Sequence, residues 1–147
     1  MLRYRSILTL ILVAITTLLI SCSNPTPTVE GPLYTSAQLE QIQKYTDDLQ
    51  IFRDRMLELP PLVQKDAWTD VASFIHGPLG ELRATMSRLA RTLEPTKQKQ
   101  ALTASKEVFE HLILIDEASQ SRDRTKALRN YNEALKDFDA FLNLIPS

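Results

Sequence analysis

The chain has 147 residues, enough for one domain of ordinary size and too few for two well-packed ones. Apolar residues make up 44% and charged residues 24%, which disfavours a disordered chain, and a formal net charge of −1 gives no overall attraction to nucleic acid. The three glycines are too few for the tight turns of a β-sandwich or barrel, and the single Cys excludes a disulfide framework and any Cys-based zinc, iron–sulfur or covalent haem site.

The first 21 residues have the pattern of an export signal. Arg3 and Arg5 precede an uncharged apolar stretch at residues 7–20, shorter than the roughly 20 residues that span a bilayer. The next residues resemble a bacterial lipobox, in which the Cys is diacylated and becomes the first residue: Leu19-Ile20-Ser21-Cys22. A thiolate is suited to forming a thioether with a lipid. We predict a lipoprotein signal peptide at residues 1–21 and lipidation of Cys22; the alternative is an ordinary signal peptide with an accidental Cys.

Residues 22–33 are rich in proline and offer almost nothing to bury. Pro25, Pro27 and Pro32 favour an extended backbone. About ten such residues would hold a folded domain roughly 30 Å from a lipid surface. We therefore predict a flexible tether here, followed by a folded domain at residues 34–147.

The folded domain shows the apolar period of helices, and no segment of it alternates with the period of a strand. Thr35 and Gln38 have the form of a capping box at the start of the first helix, and Pro60-Pro61 is predicted to end it. Asp66 is the predicted cap of the second helix. The four predicted apolar stripes begin at Leu39, Trp68, Ala101 and Leu128, and end at Leu59, Leu93, Ile115 and Ile145.

The third and fourth helices are separated by a polar run at residues 119–123. Without a turn there, residues 96–145 would form a helix about 75 Å long, which does not suit one small domain. The helix lengths and short connections predict an all-α fold, an up-down-up-down antiparallel four-helix bundle.

The second predicted helix contains a Gly-Pro interruption. Pro78 removes the amide donor to the carbonyl of Phe74, and Gly77 and Gly80 each cost about 1 kcal/mol relative to Ala in a helix. The segment predicts either a kink or a loop that divides two shorter helices. A functional interpretation is that the irregularity presents His76 or bare backbone to a partner.

Two motifs around this interruption resemble a known family. They are Trp68-Thr69-Asp70-Val71 and Phe74-Ile75-His76-Gly77-Pro78-Leu79-Gly80-Glu81-Leu82-Arg83, which are similar to the signature of the cyanobacterial form of the PsbQ family. Ile115-Asp116-Glu117-Ala118 and residues 131–141 also resemble the last two helices of that family. The lipobox and the Pro-rich tether match its N-terminal arrangement.

The resemblance implies a function that composition and periodicity do not show. PsbQ proteins of this form are lipid-anchored extrinsic subunits on the lumenal face of the thylakoid membrane, in a family associated with calcium ions. They help to stabilise the water-oxidising side of photosystem II, its manganese–calcium cluster and its dimeric state. The implied partners are the photosystem II core, other extrinsic subunits and the membrane, the last through Cys22. No nucleic acid, small-molecule substrate or cofactor of its own is implied.

Enzyme motifs are missing from the sequence, which has no Gly-rich phosphate loop, no Gly-x-Ser-x-Gly and no His-Glu-x-x-His. Glu107 and His111 are spaced i, i+4, so they could share a divalent ion. His76 could instead join a carboxylate from another helix. Two ligands are too few for a tight site, so the alternatives are an ordinary surface pair and an adventitious metal.

Between residues 83 and 106 there are six basic residues and one acidic residue. We predict that part of this segment, together with His76, binds a partner: His76, Arg83, Arg88, Arg91, Lys97 and Lys99. An anionic lipid or an acidic protein surface would suit it; the alternative is a solvated face that keeps the protein soluble. Trp68, the only tryptophan, is predicted to be a core anchor or an interface residue.

Two functions therefore remain open at this stage. The first is the non-catalytic photosystem II subunit that the resemblance implies. The second is a free-standing exported lipoprotein whose helical bundle binds a metal or another ligand.

Overall fold

The computed structural model describes residues 33–146, and within that range the protein is helical with no strand. The elements in chain order are α1 (Ser36–Arg55), a 3₁₀ turn (Met56–Glu58), α2 (Leu59–Gln64), α3 (Trp68–His76), α4 (Leu82–Thr92), α5 (Pro95–Ser121) and α6 (Arg124–Leu142). The predicted all-α class is confirmed. The predicted signal peptide, Cys22 and the tether, except for its last residue Leu33, lie outside the described residues.

The first helix begins as predicted and ends earlier. The Thr35 amide donates to Gln38 Oε1 at 2.8 Å and the Gln38 amide donates to Thr35 Oγ1 at 3.3 Å, which is the predicted capping box. However, α1 already ends at Arg55, and Pro60 and Pro61 lie in the first turn of α2. Proline is tolerated there because the first amides of a helix have no partner within the helix. The prolines therefore do not stop the helical path of the chain.

Asp66 does not cap the second helix, contrary to the prediction. The N-cap of α3 is Ala67, which makes no side-chain capping bond. Asp66 has a left-handed backbone with φ of 55°, and its carboxylate accepts a 2.8 Å hydrogen bond from Arg124 Nη2. Its side chain is thus used to join the start of α3 to the start of α6.

The Gly-Pro segment is a loop between two helices rather than a kink within one. α3 ends at His76 and α4 begins at Leu82. Leu79, in the middle of the loop, is only 3% exposed, and its amide donates to the carbonyl of Phe74 at 3.3 Å. A Cβ added to Gly77 would lie 2.9 Å from the Ser73 carbonyl oxygen, so the loop needs a residue without a side chain there.

The long helices α5 and α6 are joined by the short turn that the polar run predicted. Arg122 closes α5 with a left-handed backbone, and Asp123 Oδ1 accepts the Lys126 amide at 2.8 Å to cap α6. α5 packs along α6 and also contacts α3 and α4, while α1 packs on α4. The helices share one core whose largest fully buried side chains include Phe138, Phe141, Leu49, Met56, Leu59, Leu82, Met86, Leu89 and Ile115.

Candidate docking site

The predicted partner-binding residues line different clefts of the domain. Arg83 and His76 border a cleft over α5, whereas Arg88 lies with Asp48 and Arg55 between α1 and α4. Residues five positions apart on a helix are rotated by about 140°, so Arg83 and Arg88 lie on different sides of α4.

The remaining basic residues are exposed and lie elsewhere. Lys97 lies beside Tyr34 and the C-terminal residues, and Lys99 lies beside Glu107 on the outer face of α5. Arg91 is exposed in the last turn of α4. The basic segment of the sequence is therefore distributed over several surfaces, and its binding role stays a prediction.

The cleft that contains His76 and Arg83 has a volume of about 330 Å³ and is called here the turn cleft, because the loop between α3 and α4 forms one wall. Its apolar lining includes three buried residues, Leu79, Phe109 and Leu112. Ile113 lies at its edge and is 53% exposed. The turn cleft is thus an opening in the helical surface above α5, with apolar side chains inside it.

Three polar side chains surround that apolar lining. The Arg83 guanidinium lies over the Phe109 ring, with Cζ 4.0 Å from the ring centroid. His76 Nε2 and Asp116 Oδ1 are 3.2 Å apart, and Asp116 Oδ2 accepts a 3.3 Å hydrogen bond from Gln120. The Asp116 carboxylate is therefore already occupied at both oxygens. This arrangement suits binding by surface complementarity, which needs no reacting group.

His111 is held by α6 and not by Glu107, the partner considered from the sequence. Its Nδ1 is 3.0 Å from Asn130 Oδ1, and its Nε2 is 3.3 Å from Asp137 Oδ2. The Asn130 amide is oriented by a 2.8 Å bond from its Nδ2 to the carbonyl of Lys126. His111 therefore ties α5 to α6. This contact could not be predicted from residue spacing, because the partners lie on another helix.

Within residues 33–146, no group of three or more His, Cys, Asp and Glu side chains is placed to hold a metal ion. Glu107 is exposed, in a cleft with Lys99 and Thr103. Within residues 33–146 each predicted histidine ligand has one carboxylate from another helix beside it, Asp116 for His76 and Asp137 for His111, and the metal prediction for Glu107, His111 and His76 stays a prediction.

Sequence reasoning also missed an ion pair between α1 and α6. Arg53 Nε and Nη2 donate to the two carboxylate oxygens of Asp139 at 2.8 and 3.2 Å. This hydrogen bonding raises the pKa of Arg53, and the nearby Tyr131 has its pKa raised by burial, although the Arg53 charge opposes that shift. The ion pair joins α1 to α6, and neither residue lines the turn cleft.

Trp68 has the core contact that the sequence predicted as one of two roles, and its role as an interface residue stays a prediction. It is half-buried and packs against the core. It also lines a surface cleft together with Asp66, Thr69 and Arg122. Its apolar ring therefore contributes to packing while part of it stays accessible.

None of the helices within residues 33–146 has both the length and the apolar character needed to cross a bilayer. The model of the PsbQ family, described as oxygen evolving enhancer protein 3, matches residues 5–146. CyanoQ from Synechocystis sp. is 46% identical over 146 residues, which cover 98% of this chain and 97% of that protein. The similarity thus extends through the helical domain and through most of the N-terminal segment. The chain belongs to the PsbQ family.

Proposed function

We propose that this protein is a non-catalytic extrinsic subunit of photosystem II on the lumenal side of the thylakoid membrane. The observation that carries the proposal is the 46% identity to CyanoQ over nearly the whole of both chains. The description of the matched family, an oxygen evolving enhancer protein, supports the same assignment. In this role the protein stabilises the oxygen-evolving side and the dimeric complex, and it contacts core and other extrinsic subunits.

The proposed mechanism is binding through the outer surface of a rigid helical domain. We infer an up-down-up-down four-helix bundle whose four arms are α1 with α2, α3 with α4, α5, and α6. The shared core and the short turn at Arg122–Asp123 support this arrangement. Such a bundle holds the predicted binding residues in fixed positions on several surfaces, so a partner that meets one of these surfaces binds without a folding step. They are His76, Arg83, Arg88, Arg91, Lys97 and Lys99.

We further propose that Cys22 is lipidated and holds the protein at the membrane. The only Cys of the chain directly follows the lipobox-like sequence, and the proline-rich tether separates it from the helical domain. A diacylated Cys supplies two chains, and two membrane signals are what stable anchoring requires. The signal peptide at residues 1–21 would direct export before this modification.

Affinity purification tests the assignment to photosystem II. A tag at the C-terminus would be used to recover the protein from gently solubilised membranes at low salt. We expect photosystem II core subunits to be recovered with it. Recovery of the protein alone would contradict the proposal and favour a free-standing lipoprotein.

Metabolic labelling tests the anchor separately. Cells are grown with a palmitate analogue, and the protein is compared with a Cys22→Ser variant. We expect label on the wild type and none on the variant. An unlabelled wild-type protein that still purifies with photosystem II would disprove the anchor and leave the subunit assignment intact.

A further inference from the structure

At the turn cleft a break in the helical wall, an exposed aliphatic side chain and a cation without an ion-pair partner within residues 33–146 coincide. The break follows from the sequence, because Pro78 has no amide and Gly77 has no room for a Cβ beside the Ser73 carbonyl oxygen. Leu79 is buried in the core and fixes the position of the loop. The Gly-Pro loop and the burial of Leu79 therefore determine the shape of the cleft.

Of the two charged side chains that line the turn cleft, Asp116 has partners and Arg83 has no ion-pair partner within the described residues. The two oxygens of Asp116 face His76 and Gln120, so this carboxylate already has partners. Arg83 forms no ion pair with a carboxylate among residues 33–146, and its Cζ lies 4.0 Å from the centroid of the Phe109 ring. A guanidinium over an aromatic ring still has N–H groups that can form bidentate hydrogen bonds to a carboxylate. The guanidinium of Arg83 therefore favours an anion as the occupant of the cleft.

The apolar part of the cleft selects among anions. Ile113 is 53% exposed at the edge, and Ile75, Leu79 and Leu112 line the interior. An occupant that removes the exposed surface of Ile75 and Ile113 from water must bring an apolar side chain of its own, because a hydrated anion alone would leave that surface in water. A protein segment with a carboxylate next to a large apolar side chain satisfies both requirements.

We propose that the turn cleft docks an acidic segment of a partner protein, with one apolar side chain inside the cleft and an Asp or Glu carboxylate on Arg83. This inference rests on the proposed function, since it identifies which face of the domain meets the complex. The guanidinium stacked on Phe109 acts as the selective group, and Ile113 completes the apolar contact.

Arg83→Gln and Arg129→Gln form a matched pair for the first test. Both arginines are exposed, but Arg129 lies on α6 and does not line the turn cleft. The full-length proteins are titrated onto photosystem II preparations stripped of extrinsic subunits, and circular dichroism checks that each variant is folded. We expect Arg83→Gln to weaken binding about 10-fold or more and Arg129→Gln less than about 3-fold, since losing a hydrogen bond to a charged group costs more than losing a solvated surface charge. Equal losses, or no loss in either variant, would overturn the proposal.

Cross-linking identifies the chemistry of the occupant. Ile113→p-benzoylphenylalanine is compared with Ile51→p-benzoylphenylalanine, since Ile51 is similarly exposed at 59% but lies on α1. We expect only position 113 to capture a peptide that contains Asp or Glu beside an aliphatic or aromatic residue. Capture of lipid, or of a peptide without a carboxylate, would overturn the inference.

The two proposals fail in distinguishable ways. If wild-type protein binds photosystem II but Arg83→Gln binds equally well, docking at the turn cleft is disproved and the subunit assignment stands. If wild-type protein does not bind photosystem II at all, both proposals are disproved.

Discussion

The helix pairs α5–α6 and α3–α4 contribute to the same core in different ways. α5 and α6 have 27 and 19 residues and are joined by a short turn. α3 and α4 have 9 and 11 residues and are separated by the Gly-Pro loop. The first pair buries polar contacts between its helices, such as the one between His111 and the 3% exposed Asn130.

The second pair leaves its charged side chains and His76 at the surface. The His76 side chain is 71% exposed beside Asp116, and Arg83 is exposed over Phe109. Polar groups that are satisfied inside a protein specify its packing, whereas exposed cations beside apolar side chains remain available to a partner. The comparison therefore supports the proposal that recognition lies in α3–α4, while buried polar contacts help to specify how α5 packs on α6.

The largest expected effect is in the core face of α6. Phe138 is fully buried, so Phe138→Ala should lower the free energy of unfolding by about 3–5 kcal/mol through lost burial and a cavity. Urea denaturation measures this change. The exposed Lys136→Ala on the same helix should change stability by less than about 0.5 kcal/mol. Similar small effects from both would contradict the role given to α6.

Gly77→Ala tests how far the stability of the domain depends on the loop between α3 and α4. The added Cβ would lie 2.9 Å from a backbone oxygen, and the resulting shift should cost about 1–3 kcal/mol. Thermal unfolding is compared with that of Ser73→Ala, which adds no atom at this place. A Gly77→Ala protein as stable as wild type would show that the loop does not depend on its glycine.

Asn130→Ala tests whether the buried polar contact between α5 and α6 contributes to stability. It removes the partner of His111 Nδ1 and should cost about 1 kcal/mol. Asn132→Ala, an exposed change two residues away, is the control and should be nearly neutral. A double-mutant cycle with His111→Ala measures the coupling directly. Strictly additive effects would mean that the two side chains do not interact.

The smallest expected effect concerns pH. Burial raises the pKa of Tyr131, so above about pH 10, the ordinary value for tyrosine, the unfolded chain loses this proton before the folded protein does. Tyr131 therefore makes stability fall as pH rises above about 10 and has no such effect at neutral pH. In Tyr131→Phe this part of the alkaline loss should disappear in denaturation curves recorded at several pH values. An unchanged alkaline slope would contradict it.

The helices were predictable because local chemistry determines them. The Thr35 capping box and the turn at residues 119–123 depend on neighbouring residues only, and both were found as predicted. The prediction that Pro60 and Pro61 end the first helix was wrong, because proline stops a helix in its interior but is accepted in a first turn. The prediction that Asp66 caps the second helix was wrong, because its carboxylate accepts a hydrogen bond from Arg124, 58 residues later.

The candidate site was only partly predictable for a related reason. The sequence singled out His76 and Arg83 but grouped them with Arg88, which helical rotation places on another side of α4. The partners Phe109 and Asp116 lie on α5, so neither the stacking nor the ion pair has a signal in sequence spacing. Residues that meet across helices are specified by packing, which a single sequence does not display.

The two left-handed residues of the described chain, Asp66 and Arg122, border the same cleft beside Trp68. A left-handed conformation of a residue with a side chain costs roughly 1–2 kcal/mol, so conformational strain is concentrated at this end of the domain. Amide hydrogen exchange should therefore be faster around these two turns than in the middle of α5. Because Arg122 does not line the turn cleft, Arg122→Gly offers a way to make the protein more heat-resistant without altering that cleft.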